Sequence, residues 1–185
     1  MISFPKAYAD AVARLRVPSG FLLVIVFAWL SQPAPQSLLI GLPVSLLGLA
    51  LRAWAAGCLA KNRQLATSGP YAYTRNPLYL GSAILVIGFG VASRNLWLAL
   101  ALITVFAALY MPVVRDEEEF LRSNFPEFDL YAQRVPRIIP RLKSDGVSHA
   151  RFSSELYRKH REYNAALGSV GMMVLLALKL QFLSR

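Results

Sequence analysis

Five long apolar stretches run along the 185 residues, separated by short turns and one long polar segment. They cover 17–30, 37–60, 78–92, 96–114 and 165–183. A helix crosses a bilayer with roughly 20 mostly apolar residues. The pattern therefore predicts an all-α, polytopic integral membrane protein with about five transmembrane helices. Ser31-Gln32-Pro33-Ala34-Pro35-Gln36 makes a tight uncharged turn after the first stretch, and Ser93-Arg94-Asn95 joins the third and fourth into a helical hairpin. Pro43, Gly48 and Gly57 interrupt the second stretch, and small residues at such spacing suit close helix packing. No internal repeat is visible. The reading is one membrane domain over 1–185, with its core at 61–140 and amphipathic and apolar helices at 141–185.

Composition sharpens this picture. Hydrophobic residues make up 56% of the chain and charged residues 16%, an apolar excess over an ordinary soluble domain. The net charge is +10, yet the segment 115–163 holds nine of the ten acids and ten of the twenty Lys and Arg residues. Lysine and arginine in loops orient a membrane protein. They fall on the N-terminus (Lys6, Arg14, Arg16), on 61–77 (Lys61, Arg63, Arg75) and on 115–163, whereas the 31–37 turn has none. These three regions are expected on the cytoplasmic side. The first apolar stretch lacks a small-x-small cleavage signal and is expected to be a retained helix. Cys58 stands alone, so no disulfide forms within the chain, and it reads as a small apolar filler. Two histidines are too few for a histidine-rich iron site. Neither metal nor nucleic acid is expected as a partner; the lipid bilayer is.

Two polar islands share the expected cytoplasmic face. The first is "TSGPYAYTRNPLYLG", residues 67–81. Ser68-Gly69-Pro70 breaks the chain, and Asn76-Pro77 begins the next helix, with Asn at the N-cap and Pro at the first helical position. The free amide hydrogens and the dipole of that helix favour an anion, with Arg75 beside them. Tyr71, Tyr73 and Tyr79 supply hydroxyls and flat apolar faces. The same residues also fit an interfacial aromatic belt with a snorkelling arginine.

The second island opens with "RDEEEFLRSNFPEFDLYAQRVPRIIP", residues 115–140. Its crowded carboxylates repel one another and call for cationic company. Arg115–Glu119 and Glu118–Arg122 have the i,i+4 spacing of local helical pairs. The cluster reads either as a solvated charge face or as a carboxylate pair for a cationic ligand. Phe120, Leu121, Phe125, Phe128 and Tyr131 form an apolar stripe, and residues 151–161 read as a basic interfacial helix. Arg52, inside an apolar stretch, is expected either to snorkel or to sit buried in the bundle.

The two islands resemble a known family. "TSGPYAYTRNPLYLG" is similar to the sGPY…RHPxYxG signature of the isoprenylcysteine carboxyl methyltransferases and phospholipid methyltransferases. "EEEFLRSNFPEFDLYAQRVPRIIP" is similar to that family's acidic tail, and both occur in the family's order, a helical hairpin apart. The resemblance covers 65–140 and implies a membrane enzyme that transfers a methyl group from S-adenosylmethionine, leaving S-adenosylhomocysteine. The acceptor would be lipophilic, an isoprenylcysteine-type carboxylate or a lipid. It places Leu65, Tyr71, Asn76, Pro77, Leu78, Tyr79, Glu117 and Glu118 at cofactor positions and Arg75 and Asn76 at catalytic ones. Arg52 and Arg115 are candidates for substrate contact. Two residues depart from the signature: Asn76 stands where the family has histidine, and Pro126 where it has glycine. Asparagine hydrogen-bonds but does not titrate near neutral pH. The competing readings are a sterol-reductase-like oxidoreductase and a non-catalytic lipid-binding protein on the same fold.

Overall fold

The computed structural model describes residues 22–60, 64–143 and 151–183. The start of the first expected helix, the loop residues Lys61 and Arg63, and the segment around His149 lie outside them. The described chain is helical: α1 (22–30), α2 (Pro35–Cys58), a short 3-10 turn (Gly69–Ala72), α3 (Pro77–Ala92), α4 (Leu96–Asn124), α5 (Phe128–Arg134), α6 (Ser154–Lys159) and α7 (Tyr163–Leu183). No strand occurs among the described residues.

Three of these helices are long and apolar enough to cross a membrane, Pro35–Cys58, Leu96–Asn124 and Tyr163–Phe182. The expectation of five full spans is thus met by three among the described residues. The third apolar stretch becomes α3, whose 16 residues reach about 24 Å at 1.5 Å per residue, short of a hydrocarbon core of about 30 Å. Broad apolar surfaces nevertheless face outward: Leu39 and Trp97 are 77% and 80% exposed. Exposed apolar area on this scale calls for lipid around it.

Two elements differ from the sequence expectation. The fourth helix does not stop at Val114; α4 continues through the acidic cluster to Asn124. Nothing between the two positions breaks a helix, and Glu, Leu and Arg favour one. It ends where Phe125, just before Pro126, takes an extended conformation, as residues preceding proline do. The basic helix expected at 151–161 shrinks to the six residues of α6. Ser153 starts it by accepting from Leu156 N at 3.2 Å. Arg161, with φ of 53°, breaks the helical path and turns the chain into α7.

The most extensive helix contact is between α2 and α3, and small residues set it. A Cβ on Gly41 would lie 2.5 Å from Gly88 O, and one on Gly48 would lie 2.6 Å from Gly81 O. The two backbones therefore touch along a stripe of Gly41, Ser45 and Gly48 against Gly81 and Gly88. In a bilayer, where lipid tails are as apolar as leucine, such close approach supplies the attraction between helices. Gly57 is filled from outside by the Phe152 ring.

The two ends of the bundle differ in character. At one end the turns after α1 and α3 meet. Gln32 N donates to Ser93 O at 2.8 Å, and Ser37 Oγ to Ala92 O at 3.1 Å. Phe27, Leu38, Ala92, Leu98 and Leu176 form the apolar core beneath them. At the other end, 64–76, the extension of α4, and the tail through Arg141 come together and build the site.

Candidate active site

The tail 135–141 folds back over the turn that precedes α3. Arg75 N donates to Pro136 O at 2.9 Å, and Arg141 N to Tyr73 O at 3.0 Å. Arg141 Nε donates to Ala72 O at 2.9 Å, and the Tyr131 hydroxyl to Tyr71 O at 2.7 Å. These long-range bonds satisfy backbone groups of a segment that has little regular structure of its own, as buried backbone polar groups require. They also lock the two polar islands together.

Glu118 is the hub of the arrangement and is only 3% exposed. It accepts from Asn76 Nδ2 at 3.1 Å, from Arg137 Nε at 2.9 Å and from Arg137 Nη2 at 2.7 Å. Arg75 Nε stands 3.4 Å away. That separation is an ion pair without hydrogen-bond geometry, and Arg75 Nε is buried with no hydrogen-bond partner. Asn76 sits at the N-cap position of α3, but its side chain does not cap the helix. Its second amide hydrogen goes to Arg137 O at 3.0 Å. Asn76 is therefore a two-donor clip between α4 and the tail.

The neighbouring carboxylate behaves differently. Glu117 Oε2 accepts from the Tyr79 hydroxyl at 2.8 Å, and the Tyr79 ring leans on Tyr110 with centroids 5.7 Å apart. The local pair expected between Glu118 and Arg122 is replaced. Glu118 turns inward to Arg137, and Arg122 pairs with Asp129 at 2.8 Å. The reason is geometric: the tail brings a guanidinium and an amide to the buried face, where a carboxylate gains most from partners.

A cavity of about 560 Å³ opens beside this network. Its wall contains Leu65, Tyr71, Arg75, Asn76, Pro77, Leu78, Tyr79, Glu117 and Glu118, together with Asp116. Every expected cofactor position thus lines one cavity. Phe125, Phe128 and Tyr131 add an aromatic side to it. Phe128 is fully buried between two guanidiniums, with Arg75 5.9 Å and Arg122 5.4 Å from its ring centroid, cation–π distances in both cases. Burial pushes the hydroxyl of Tyr71 up from its ordinary value, with the Glu117 charge adding to the shift. Burial raises Tyr131 as well, against the lowering effect of Arg75. Both phenols stay neutral at physiological pH.

The two candidates for substrate contact fall elsewhere. Neither Arg52 nor Arg115 lines the cavity. Arg52 forms a two-pronged ion pair with Glu162, with Nη2–Oε2 at 2.8 Å and Nε–Oε2 at 3.1 Å, and also contacts Ser82 Oγ. Three residues of the site went unanticipated: Arg137, Asp116 and the backbone-binding Arg141. The crowding of four successive acids signalled a need for cations, but the sequence pointed to local partners four residues away, and nothing along the chain marked Arg137 as the one that Glu118 takes.

Similarity to known proteins follows this geometry. Residues 38–127 match the phospholipid methyltransferase family. The chain is 36% identical over 116 residues to the nickel-cobalt-cadmium resistance protein NccN of Alcaligenes xylosoxydans, covering 62% of this chain and 53% of that protein. It is 40% identical over 107 residues to the cobalt-zinc-cadmium resistance protein CzcN of Cupriavidus metallidurans, covering 55% and 50%. It is 30% identical over 146 residues to the protein-S-isoprenylcysteine O-methyltransferase of Schizosaccharomyces pombe, covering 76% and 61%. The chain spans about half the length of the two metal-resistance relatives. No solved structure matches it. Among the described residues, no group of three or more His, Cys, Asp and Glu side chains is placed to hold a metal ion.

Proposed function

The chain belongs to the phospholipid methyltransferase family through residues 38–127, and we propose that it transfers a methyl group from S-adenosylmethionine to a lipophilic acceptor at the membrane surface. The observation that carries this reading is a cavity of about 560 Å³ in which residues of both polar islands, with carboxylates and Arg75 among them, line one space. One wall bears the carboxylates of Asp116 and Glu117, and the other bears Arg75 and the first turn of α3. The expected cofactor is a zwitterion with an added sulfonium, so it needs both signs at once.

The donor set fits that group. Glu117, held by Tyr79, would take the ammonium. Arg75, whose buried Nε lacks a hydrogen-bond partner, would take the carboxylate, as a guanidinium does well. Tyr71 and Phe125 offer flat apolar faces for a purine. When bound, the cofactor supplies an electrophilic methyl on a positively charged sulfur. The protein's own work is then to bind, orient and exclude water, and positioning of this kind lowers a bimolecular barrier by several kcal/mol.

Asn76 does not titrate, and both of its amide hydrogens are engaged by Glu118 and Arg137. It therefore holds the wall in place rather than moving a proton. An acceptor already ionised at neutral pH, such as a carboxylate, needs no base. We favour such an acceptor, with its apolar tail in the lipid. The cavity end is assigned to the cytoplasmic side on its lysine and arginine content.

The test is calorimetric titration of the detergent-purified chain with S-adenosylhomocysteine. One-to-one binding that is lost in Glu117→Ala is expected. A folded sample that binds no S-adenosylhomocysteine overturns the reading and leaves a dinucleotide enzyme or a non-catalytic lipid binder.

A further inference from the structure

At the end of the bundle opposite the candidate active site lies a second cavity, of about 490 Å³. Its charged lining residues are Arg94 and Lys179, and no Asp or Glu lines it. We propose that this cavity binds the phosphate headgroup of an anionic phospholipid through these two cations.

Lys179 reaches back from α7 to the end of α1, where its Nζ donates to Ala28 O at 2.8 Å and to Trp29 O at 2.7 Å. Those are terminal helix carbonyls, a natural seat for a cation. An ammonium has three hydrogens, so one remains for a ligand, and the two carbonyls fix where it stands. Arg94 comes from the turn between α3 and α4. Among the described residues its guanidinium makes no hydrogen bond or ion pair.

The backbone at Arg94 makes the case specific. Its φ is 51°, in the left-handed region. Glycine and asparagine adopt that region at little cost, whereas a long side chain is strained there. The turn thus carries an exposed guanidinium where a smaller residue would be less strained, and no acid in the cavity neutralises it.

The surroundings suit a lipid headgroup rather than a soluble anion. Trp29, on the last turn of α1, and Trp97, on the first turn of α4, stand 81% and 80% exposed at this end, the placement of tryptophans at a membrane–water boundary. Trp29, Pro33, Ala34 and Leu180 give the cavity apolar walls beside its two charges. A phosphodiester lies at that depth with its acyl chains continuing along the lipid-facing helices.

The test is native mass spectrometry of the full chain in detergent, titrated with phosphatidylglycerol, phosphatidylcholine or inorganic phosphate. Arg94→Asn is the informative variant, because asparagine keeps the left-handed turn while removing the charge; its thermal unfolding should match wild type. Each cation removed should weaken phosphatidylglycerol retention about fivefold, so Arg94→Asn loses about that much and Arg94→Asn with Lys179→Gln loses more. Wild type should retain phosphatidylglycerol over phosphatidylcholine, and millimolar inorganic phosphate should not displace it. Equal retention by wild type and Arg94→Asn, or no preference between the two lipids, overturns the proposal. Displacement by inorganic phosphate overturns the lipid assignment and makes the cavity a free-anion site.

Discussion

Asn76 Nδ2 and Glu118 Oε1 stand 3.1 Å apart and join the first turn of α3 to the buried face of α4. The contact spans 42 residues of sequence. It explains how the site accommodates asparagine where the resemblance expects histidine. A neutral imidazole has one N–H, whereas the amide has two, and here both are used, one on Glu118 and one on Arg137 O.

The two adjacent glutamates should respond oppositely to mutation. Glu118→Ala leaves the buried Arg75 guanidinium without its counter-charge and unties Arg137 and Asn76 from α4, and losing one member of such a buried network costs about 3 kcal/mol. Glu117→Ala removes a carboxylate that faces the cavity and should change stability by less than about 1 kcal/mol. Thermal unfolding and S-adenosylhomocysteine titration on the same samples separate the two: Glu118→Ala should unfold early, and Glu117→Ala should fold normally and fail to bind.

Tyr131→Phe deletes the 2.7 Å bond to Tyr71 O. It should cost about 1 kcal/mol, read as a lower unfolding midpoint at neutral pH. The pH dependence follows from the raised values of Tyr131 and Tyr71. Below the ordinary tyrosine value of about 10, folded and unfolded chains hold these protons equally. As pH rises past it, the unfolded chain releases protons first, so stability falls. The alkaline fall should be shallower in Tyr131→Phe than in wild type.

Arg52 and Glu162 should be strongly coupled. Their side chains are 21% and 12% exposed, and the pair ties the residue just before α7 to the last third of α2. Arg52→Gln or Glu162→Gln alone leaves the other charge in a poorly solvated place, at a cost of about 3 kcal/mol. The double variant should recover part of that loss. Additive losses in a double-mutant cycle would show that the pair contributes nothing.

Gly88→Leu tests the α2–α3 seam. A Cβ there already meets Ser45 N at 2.5 Å, so a larger side chain must push the helices apart. The expected loss is about 3 kcal/mol, at the upper end of overpacking costs. Because Asn76 and Pro77 start α3, cofactor affinity should fall with it. Gly168→Leu, with open space around its Cβ, is the control and should leave both unchanged.

Much of this was legible along the chain. Apolar runs of helical length, proline and glycine punctuation and the helix start at Asn76-Pro77 are local signals, carried by residues a few positions apart. They set the helices, their order and the two polar islands. What the chain could not show is which side of a helix faces what. Successive residues of Asp116, Glu117, Glu118 and Glu119 are rotated by about 100° around α4, so neighbouring acids that look alike in the sequence meet different partners. Only the packed structure turns Glu118 to Arg137 and Glu117 to the cavity. Arg52 likewise finds Glu162 across 110 residues of sequence, and α4 runs past its expected end because no proline or glycine occurs between Val114 and Pro126. Hydrophobicity is a property of each residue and reads linearly; pairing depends on helix rotation and approach, which packing alone decides.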